Sequence, residues 1–461
     1  MTVPQPPFQL ALDLRGTDDG EAVARDTREV EAATATDEPT CPGAPTALME
    51  AICDPDNIAA AVDAVKRNKG AAGVDGMTVT QLPRALATRW PDIERQLLQG
   101  CYRPLPVRRV RIPKPDGGGE RLLGIPTVID RVIQQAVLQQ LQPLWDPTFS
   151  EHSYGFRPGR SAHQAVAQAQ RHVAAGYQFV VDLDLAKFFD RVNHDRLMAA
   201  VARRVADRRV LRLIRSYLTA GVLDHGLFEA SHEGTPQGGP LSPLLSNLVL
   251  DELDRELERR DHRFVRYADD CNVYVRSEKA GHRVMASITR FIEDRLKLQV
   301  NAAKSAVARP WDRTFLGFTL VNVPSLPRGI APKAMGRFKR RVRWLTRRYR
   351  GVSVEGLVED LVPYLRGWAG YFGFSQSAEL RSLNSWIRRR VRCVVWVQWK
   401  TRRRRYHELR RRTVPAPAAS EAVWSPKGPW RLSRSRALHR AFTTARFTRL
   451  GLLPMEQWVS R

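Results

Sequence analysis

Acidic residues are in short supply. The chain has 48 Asp and Glu against 74 Lys and Arg, a formal net charge of +26 over 461 residues. That imbalance excludes a self-neutralised surface and points to a polyanionic partner, nucleic acid before membrane. Cysteine is scarce as well. Cys41, Cys53, Cys101, Cys271 and Cys393 are scattered without a CxxC pair. A zinc ribbon and a disulfide framework are thereby excluded, and a reducing cytoplasm fits. No His-Glu-x-x-His is present, and no apolar run approaches the ~18 residues of a membrane span. The N-terminus lacks the basic-then-apolar start of a secretory signal. I.e. no membrane partner is expected. Length alone asks for two or three domains, and 43% hydrophobic residues can fill their cores.

What is present centres on Arg266-Tyr267-Ala268-Asp269-Asp270-Cys271. Two β-rich runs flank adjacent carboxylates, which predicts a hairpin with both acids at its tip. Two unit charges ~4 Å apart repel by roughly 4 kcal/mol at an effective dielectric near 20. Such a pair calls for cations, and Mg²⁺ held by carboxylates and substrate phosphates is the natural candidate. A polar turn fits the same hexapeptide. A second acid-bearing strand is expected at 179–184. There Phe179, Val181 and Leu183 share one face and Val180, Asp182 and Asp184 the other. Asp184, at the strand's end, is placed to face a neighbouring hairpin tip; Asp182, one pleat deeper, suits a supporting role.

Around these lie basic and glycine-rich punctuation marks. Lys114 and Arg121 flank a Gly-rich turn, suited to a triphosphate or template clamp but equally to a solvated hairpin edge. Arg157 lies in a Gly/Pro turn before a helix starting near Ser161. Gly234 through Pro240, with Gln237, is a loop whose glycines permit close approach to a ligand. Residues 314–320 are expected to form a strand. Helices are expected with caps at Asn57, Asn193, Asp207 and Ser242. After about Pro327 arginine dominates. Phe338, Val342, Leu345 and Tyr349 make one apolar stripe, while Arg337, Arg340, Arg341, Arg347 and Arg348 cover other faces, a basic surface suited to RNA.

In order and spacing these segments resemble the group II intron-encoded reverse transcriptase/maturases, bacterial type. The resemblance rests on Gly73 through Gly76, Lys114 through Pro126, Tyr154 through Ser161, Val181 through Asp190, Thr235 through Pro243, Tyr267 through Asp270, Asn301 through Ser305, and Phe315 through Phe318. It implies an α+β right-hand polymerase of fingers, palm and thumb, followed by a basic α-helical thumb/maturase domain. Asp184, Asp269 and Asp270, with the backbone of Leu185, match the ligands of two Mg²⁺ ions. Lys114, Arg121, Phe189, Gln237 and Lys304 match nucleotide-binding positions, Phe189 as the screen of the sugar 2′ position. Arg157, Phe315, Leu316 and Gly317 match template and primer contacts. No Cys/His endonuclease module of the kind many relatives carry is expected, and the three glycines Gly117 to Gly119 depart from the family's fingers turn.

The expected division is a disordered acidic extension over 1–45, fingers and palm over 46–325, a helical thumb/maturase domain over 326–410, and a basic tail over 411–461 offered to DNA. The expected partners are intron RNA, an RNA template with a DNA primer, dNTPs and a DNA target site. A monomer and a dimer both fit, within a cytoplasmic, nucleoid-associated ribonucleoprotein. Two other functions stay open: a splicing maturase whose polymerase site goes unused, and a related polymerase recruited to phage defence or CRISPR spacer acquisition.

Overall fold

Period-two apolar runs between helices of three- to four-residue spacing dictate sheets covered by helices. The computed structural model describes residues 47–459, apart from 114–118, 225–226, 232, 236–237 and 324. The acidic extension, Lys114 and Gln237 therefore lie outside the described residues. The strands are β1 (Val107–Pro113), β2 (Glu120–Ile125), β3 (Phe179–Leu183), β4 (Val222–Asp224), β5 (Leu227–Glu229), β6 (Arg263–Tyr267), β7 (Asp270–Val275), β8 (Ala306–Ala308), β9 (Phe318–Leu320) and β10 (Arg328–Ile330). They form one sheet ordered β2-β1-β4-β5, a central antiparallel sheet ordered β6-β7-β3-β8, and the ribbon β10-β9. Mixed sheets with a helical unit after them agree with the expected α+β class.

The central sheet has two different faces. Val181 and Leu183 of β3 point into the largest core, with Val132 and Ile133, Leu250 and Leu257, and Ile288 and Ile292 from three helices. Val180, on the opposite face, joins a small cluster with Tyr154, Val265, Tyr274 and Leu320. Asp182 and Asp184 share that second face by the strand's alternation. One face thus holds the sheet in place and the other is left for chemistry.

Local rules explain most helix starts. Ser161, Asn193 and Asp207 accept backbone N–H bonds at their helix N-termini. Asp54, not Asn57, caps the helix Pro55–Asn68. Asn57 instead spends its amide on the carbonyls of Ile52 and Ala136. Thr127 caps Val128–Trp145, and Pro143 lies inside that helix rather than ending it. Ser242 is the first residue of its helix, one step later than a cap.

The C-terminal region corrects two expectations. The stripe Phe338, Val342, Leu345 is buried, but the helix Pro332–Leu345 ends before Tyr349, which is 82% exposed. The segment after 411 is no tail. Its short helices place Ala419, Val423, Leu432, Leu438, Phe442, Phe447 and Met455 in the same core as Phe338, Leu361, Leu365 and Val391. Leu409 and Val414, on either side of the expected boundary, are fully buried. Composition misled here: arginines coat the outside of short helices whose apolar residues are too irregularly spaced to announce a core. Among the described residues no helix is long and apolar enough to cross a membrane.

Candidate active site

Strand pairing assembles the carboxylates. Leu183 of β3 pairs with Cys271 of β7, so the next step in register sets Asp184 opposite Asp270. Asp270 in turn pairs with Tyr267 across the hairpin. Directly opposed residues of an antiparallel pair hold their Cβ atoms about 4.5–5.5 Å apart. Ala268 and Asp269 form the two-residue turn, with Ala268 at φ 56°. The structure therefore brings Asp184, Asp269 and Asp270 to one end of the central sheet.

Their electrostatics are those of crowded anions. Loss of hydration, then repulsion from Asp269, Asp182 and Asp184, pushes Asp270 up to about 7, although the residue still touches solvent. Burial also raises Asp269, with Asp184 adding to the rise and Arg121 opposing it. Arg121, on β2, is thus felt at the site. Burial raises Asp182, while Arg313 holds its carboxylate at 2.5 and 2.8 Å and works the other way. Lys304 reaches Asp184 at 3.5 Å. The Asp184 backbone is fixed from β8's side: Ser305 Oγ accepts its N–H (3.0 Å) and Asn301 N–H donates to its carbonyl (2.8 Å).

Leu185 forms an isolated bridge with Val300. The bonds flanking that bridge, Ala186 N–H to Gln299 O and Asn301 N–H to Asp184 O, make it a non-hydrogen-bonded pair. The Leu185 carbonyl therefore points the other way, toward the Asp269–Asp270 hairpin. Among the described residues no three His, Cys, Asp or Glu side chains enclose an ion by themselves. Opposed carboxylates beside an outward carbonyl fit hard, oxygen-seeking Mg²⁺, which takes one or two protein carboxylates and completes its shell with water and phosphate.

Sequence reasoning missed the support behind the hairpin. Arg266 is wholly buried and grips the equally buried Asp254 through two bonds of 2.7 and 2.5 Å. It also donates to Asn247 Oδ1 (3.0 Å), Ser153 Oγ (2.8 Å) and the Ala268 carbonyl (2.9 Å). The signal was there: Asp254 shares a helix face with Leu250 and Leu257, and a core-facing acid needs a partner. Residues 152–155 run beside β6, with Arg266 N–H donating to His152 O and Tyr154 N–H to Arg266 O. Gly155 is required there, since a Cβ would lie 2.3 Å from the Ala268 nitrogen.

Arg157 corrects a template assignment. Its buried guanidinium is consumed by Asp146 and the carbonyls of Asp146, Ser150 and Ser153, so it braces the loop behind the hairpin. The described glycines of the 234–240 loop lie close against protein. A Cβ on Gly234 would meet Phe189 O at 2.8 Å, and one on Gly238 would meet Gly124 O at 2.6 Å. Phe189, half-buried, packs edge-on against Phe188 at 5.2 Å, with its carbonyl held by Thr235 N–H. The expected strand over 314–320 is a tight turn followed by β9: Phe315 and Phe318 exchange two 2.9 Å backbone bonds around Leu316 (φ 52°) and Gly317 (φ 82°). Phe315, Leu316 and Tyr267 all pack against the small cluster on the carboxylate face. Arg337, Arg340, Arg341, Arg347 and Arg348 are all exposed on the helical unit, and Arg341 lies over the Trp344 ring at 4.4 Å.

Residues 112–320 match the family described as reverse transcriptase (RNA-dependent DNA polymerase), and residues 335–413 the group II intron maturase-specific domain. The chain is 36% identical to protein YkfC of Escherichia coli (strain K12), covering 59% of this chain and 82% of that one. It is 28% identical to the group II intron-encoded protein LtrA of Lactococcus lactis subsp. cremoris, covering 59% of this chain and 53% of LtrA. It thus spans about half the length of LtrA. Among solved structures, a partial Cas6-RT-Cas1–Cas2 complex is similar over 54% of this chain and 43% of that one, at 26% identity and a TM-score of 0.36.

Proposed function

Because the chain belongs to the group II intron reverse transcriptase/maturase family, we propose that it is an RNA-directed DNA polymerase that also binds its intron RNA to assist splicing and mobility. The observation that carries this is the row Tyr267–Asp270–Asp184 across the central sheet, with Asp269 at the turn beside it. Asp184, Asp269, Asp270 and the Leu185 carbonyl would hold two Mg²⁺ ions. Bound there, such ions supply a lowered pKa at the primer 3′-hydroxyl and charge neutralisation at the departing pyrophosphate. The chain's own part is placement and charge. Asp184 is held by its backbone between Asn301 and Ser305, so its carboxylate is aimed before substrate arrives. Arg121, with Lys114, meets the dNTP triphosphate, Lys304 steadies the same end, Gln237 lies beside the incoming nucleotide, and Phe189 screens its 2′ position. The turn Phe315–Leu316–Gly317 steadies the primer end. The basic helical unit takes the phosphate backbone of intron RNA and of the DNA target.

Primer extension on an RNA template with dNTPs and Mg²⁺ tests this, wild type against the double variant Asp269→Asn, Asp270→Asn. Wild type extends and the variant does not, while both bind intron RNA alike. Equal extension by both overturns the site. Extension by neither, with intron binding intact, overturns the polymerase and leaves a maturase.

A further inference from the structure

Tyr371 is the last residue but one of the helix Val354–Phe372 in the C-terminal unit, yet it is bonded to two parts of the other unit. Its hydroxyl donates to the Leu316 carbonyl at 2.8 Å. Its own carbonyl is held by His163 Nε2 at 2.7 Å. His163 lies in the helix Ala162–Ala174 and stacks on Phe374 at 4.7 Å. Leu316 and Gly317 are the central residues of the 315–318 turn, and both carry positive φ. Gly317 is pinned in turn: Ala331 N–H donates to its carbonyl at 2.9 Å, and a Cβ there would meet the Phe372 ring at 3.2 Å. Phe315 and Leu316 pack against the same small cluster that Tyr267, the residue paired to Asp270, also covers. Burial keeps the Tyr371 hydroxyl protonated, with the nearby Tyr267 adding to the effect, so it stays a donor.

The turn is small and built on left-handed backbone. Its two central carbonyls are each held from the C-terminal side of the chain. Leu316 O is the carbonyl at its tip, and Tyr371 Oη is the group that holds it. We propose that Tyr371 is a positioning residue for polymerisation: its hydroxyl fixes the Leu316 carbonyl and so sets where the primer 3′-end lies against Asp184 and Asp270. This rests on the polymerase reading above and on the primer role of the 315–317 turn. It links the seating of the helical unit on the central sheet to the alignment of the primer terminus.

The full chain is compared with Tyr371→Phe, which loses one hydroxyl and keeps the ring. Phe374→Leu serves as the control, since it loosens the His163 stack and leaves the Leu316 bond in place. Three quantities are read on an RNA template carrying a DNA primer with 2-aminopurine at its 3′ end: single-nucleotide extension rate, hybrid affinity, and 2-aminopurine fluorescence in the bound state without dNTP. Melting temperature is followed for each chain. Tyr371→Phe is expected to extend about 3- to 10-fold more slowly, the range of one lost hydrogen bond. Its bound fluorescence changes, while hybrid affinity and melting temperature stay near wild type. Phe374→Leu melts lower but extends at the wild-type rate once bound. Wild-type rate and fluorescence in Tyr371→Phe, with Asp269→Asn inactive, overturn the inference and leave the polymerase standing. A loss of affinity and melting temperature without a slower bound rate also overturns it, since that is a structural tie only. A wild-type chain that neither extends nor alters the fluorescence overturns both.

Discussion

Arg266 reaches back under its own hairpin and holds the Ala268 carbonyl, two residues further along, at 2.9 Å. The turn that carries Asp269 is therefore braced by a side chain from the strand leading into it. The other arm of the same guanidinium closes on Asp254 with neither side chain exposed. Removing one partner of a buried pair strands the other. Arg266→Met is expected to cost about 3–5 kcal/mol of stability. The double variant Arg266→Met, Asp254→Leu recovers most of that in urea unfolding. It does not recover primer extension, because the Ala268 carbonyl stays unheld. Full recovery of both would show that the brace has no part in placing Asp269.

Lys304 offers the opposite case. Its ion pair with Asp184 is 3.5 Å long and its side chain is 64% exposed. Such a pair contributes at most about 1 kcal/mol to folding. Lys304→Ala should therefore leave the melting temperature nearly unchanged. Extension efficiency should fall by about 10- to 100-fold, the scale of a lost charge-assisted bond to substrate. Steady-state kinetics against dNTP concentration measure it, and an unchanged kcat/KM would remove Lys304 from the site.

Acid sensitivity is expected from His172, which is buried beside His152, Tyr177 and Tyr274. Burial first, then the neighbouring His152, lowers its pKa from the ordinary histidine value to about 4. A depressed histidine binds fewer protons folded than unfolded. Its share of stability is present above pH 6.5 and is lost as pH falls from there toward 4. Between pH 7 and pH 5 that loss is about 2 kcal/mol. Urea midpoints at the two pH values should differ more in wild type than in His172→Gln; equal shifts would discount the group.

A chain truncated after Arg412 distinguishes a tail from a core. A tail could be removed with little structural effect. Here the cut deletes Phe442 and Phe447, both fully buried, along with Leu438 and Met455. Each buried Phe alone is worth about 3–5 kcal/mol to truncation. The truncated chain is expected to lose the protease resistance and cooperative melting of its helical unit. Retention of both would return the last fifty residues to the status of an appendage.

The carboxylates were legible because each breaks a local rule. Two adjacent acids at a hairpin tip and two more on an apolar strand have no local reason to be there, and pairing of those strands collects them. The caps at Asn193 and Asp207 were legible because a cap is a matter of four residues. What stayed hidden depends on distant partners. Arg157 reads as a free arginine in a polar turn until the carbonyls of Ser150 and Ser153 are seen around it. Gly234 and Gly238 signal close approach, but not that protein backbone is what approaches. Residues 314–317 have strand-like composition, yet Leu316 and Gly317 take positive φ and turn the chain instead.

The pairing of β3 with β7 bears on which length changes the chain tolerates. Side chains on a strand alternate faces, so one residue inserted into β3 between Phe179 and Leu183 would rotate Asp184 away from Asp270 and into the apolar core. The eighty-odd residues between Asp184 and Asp269 carry no such constraint at their loop ends. Their ends are set against each other by strand register, while Asp254 and Asn247 within them hold Arg266 behind the hairpin. Within the five residues of β3 even a single-codon insertion or deletion is forbidden.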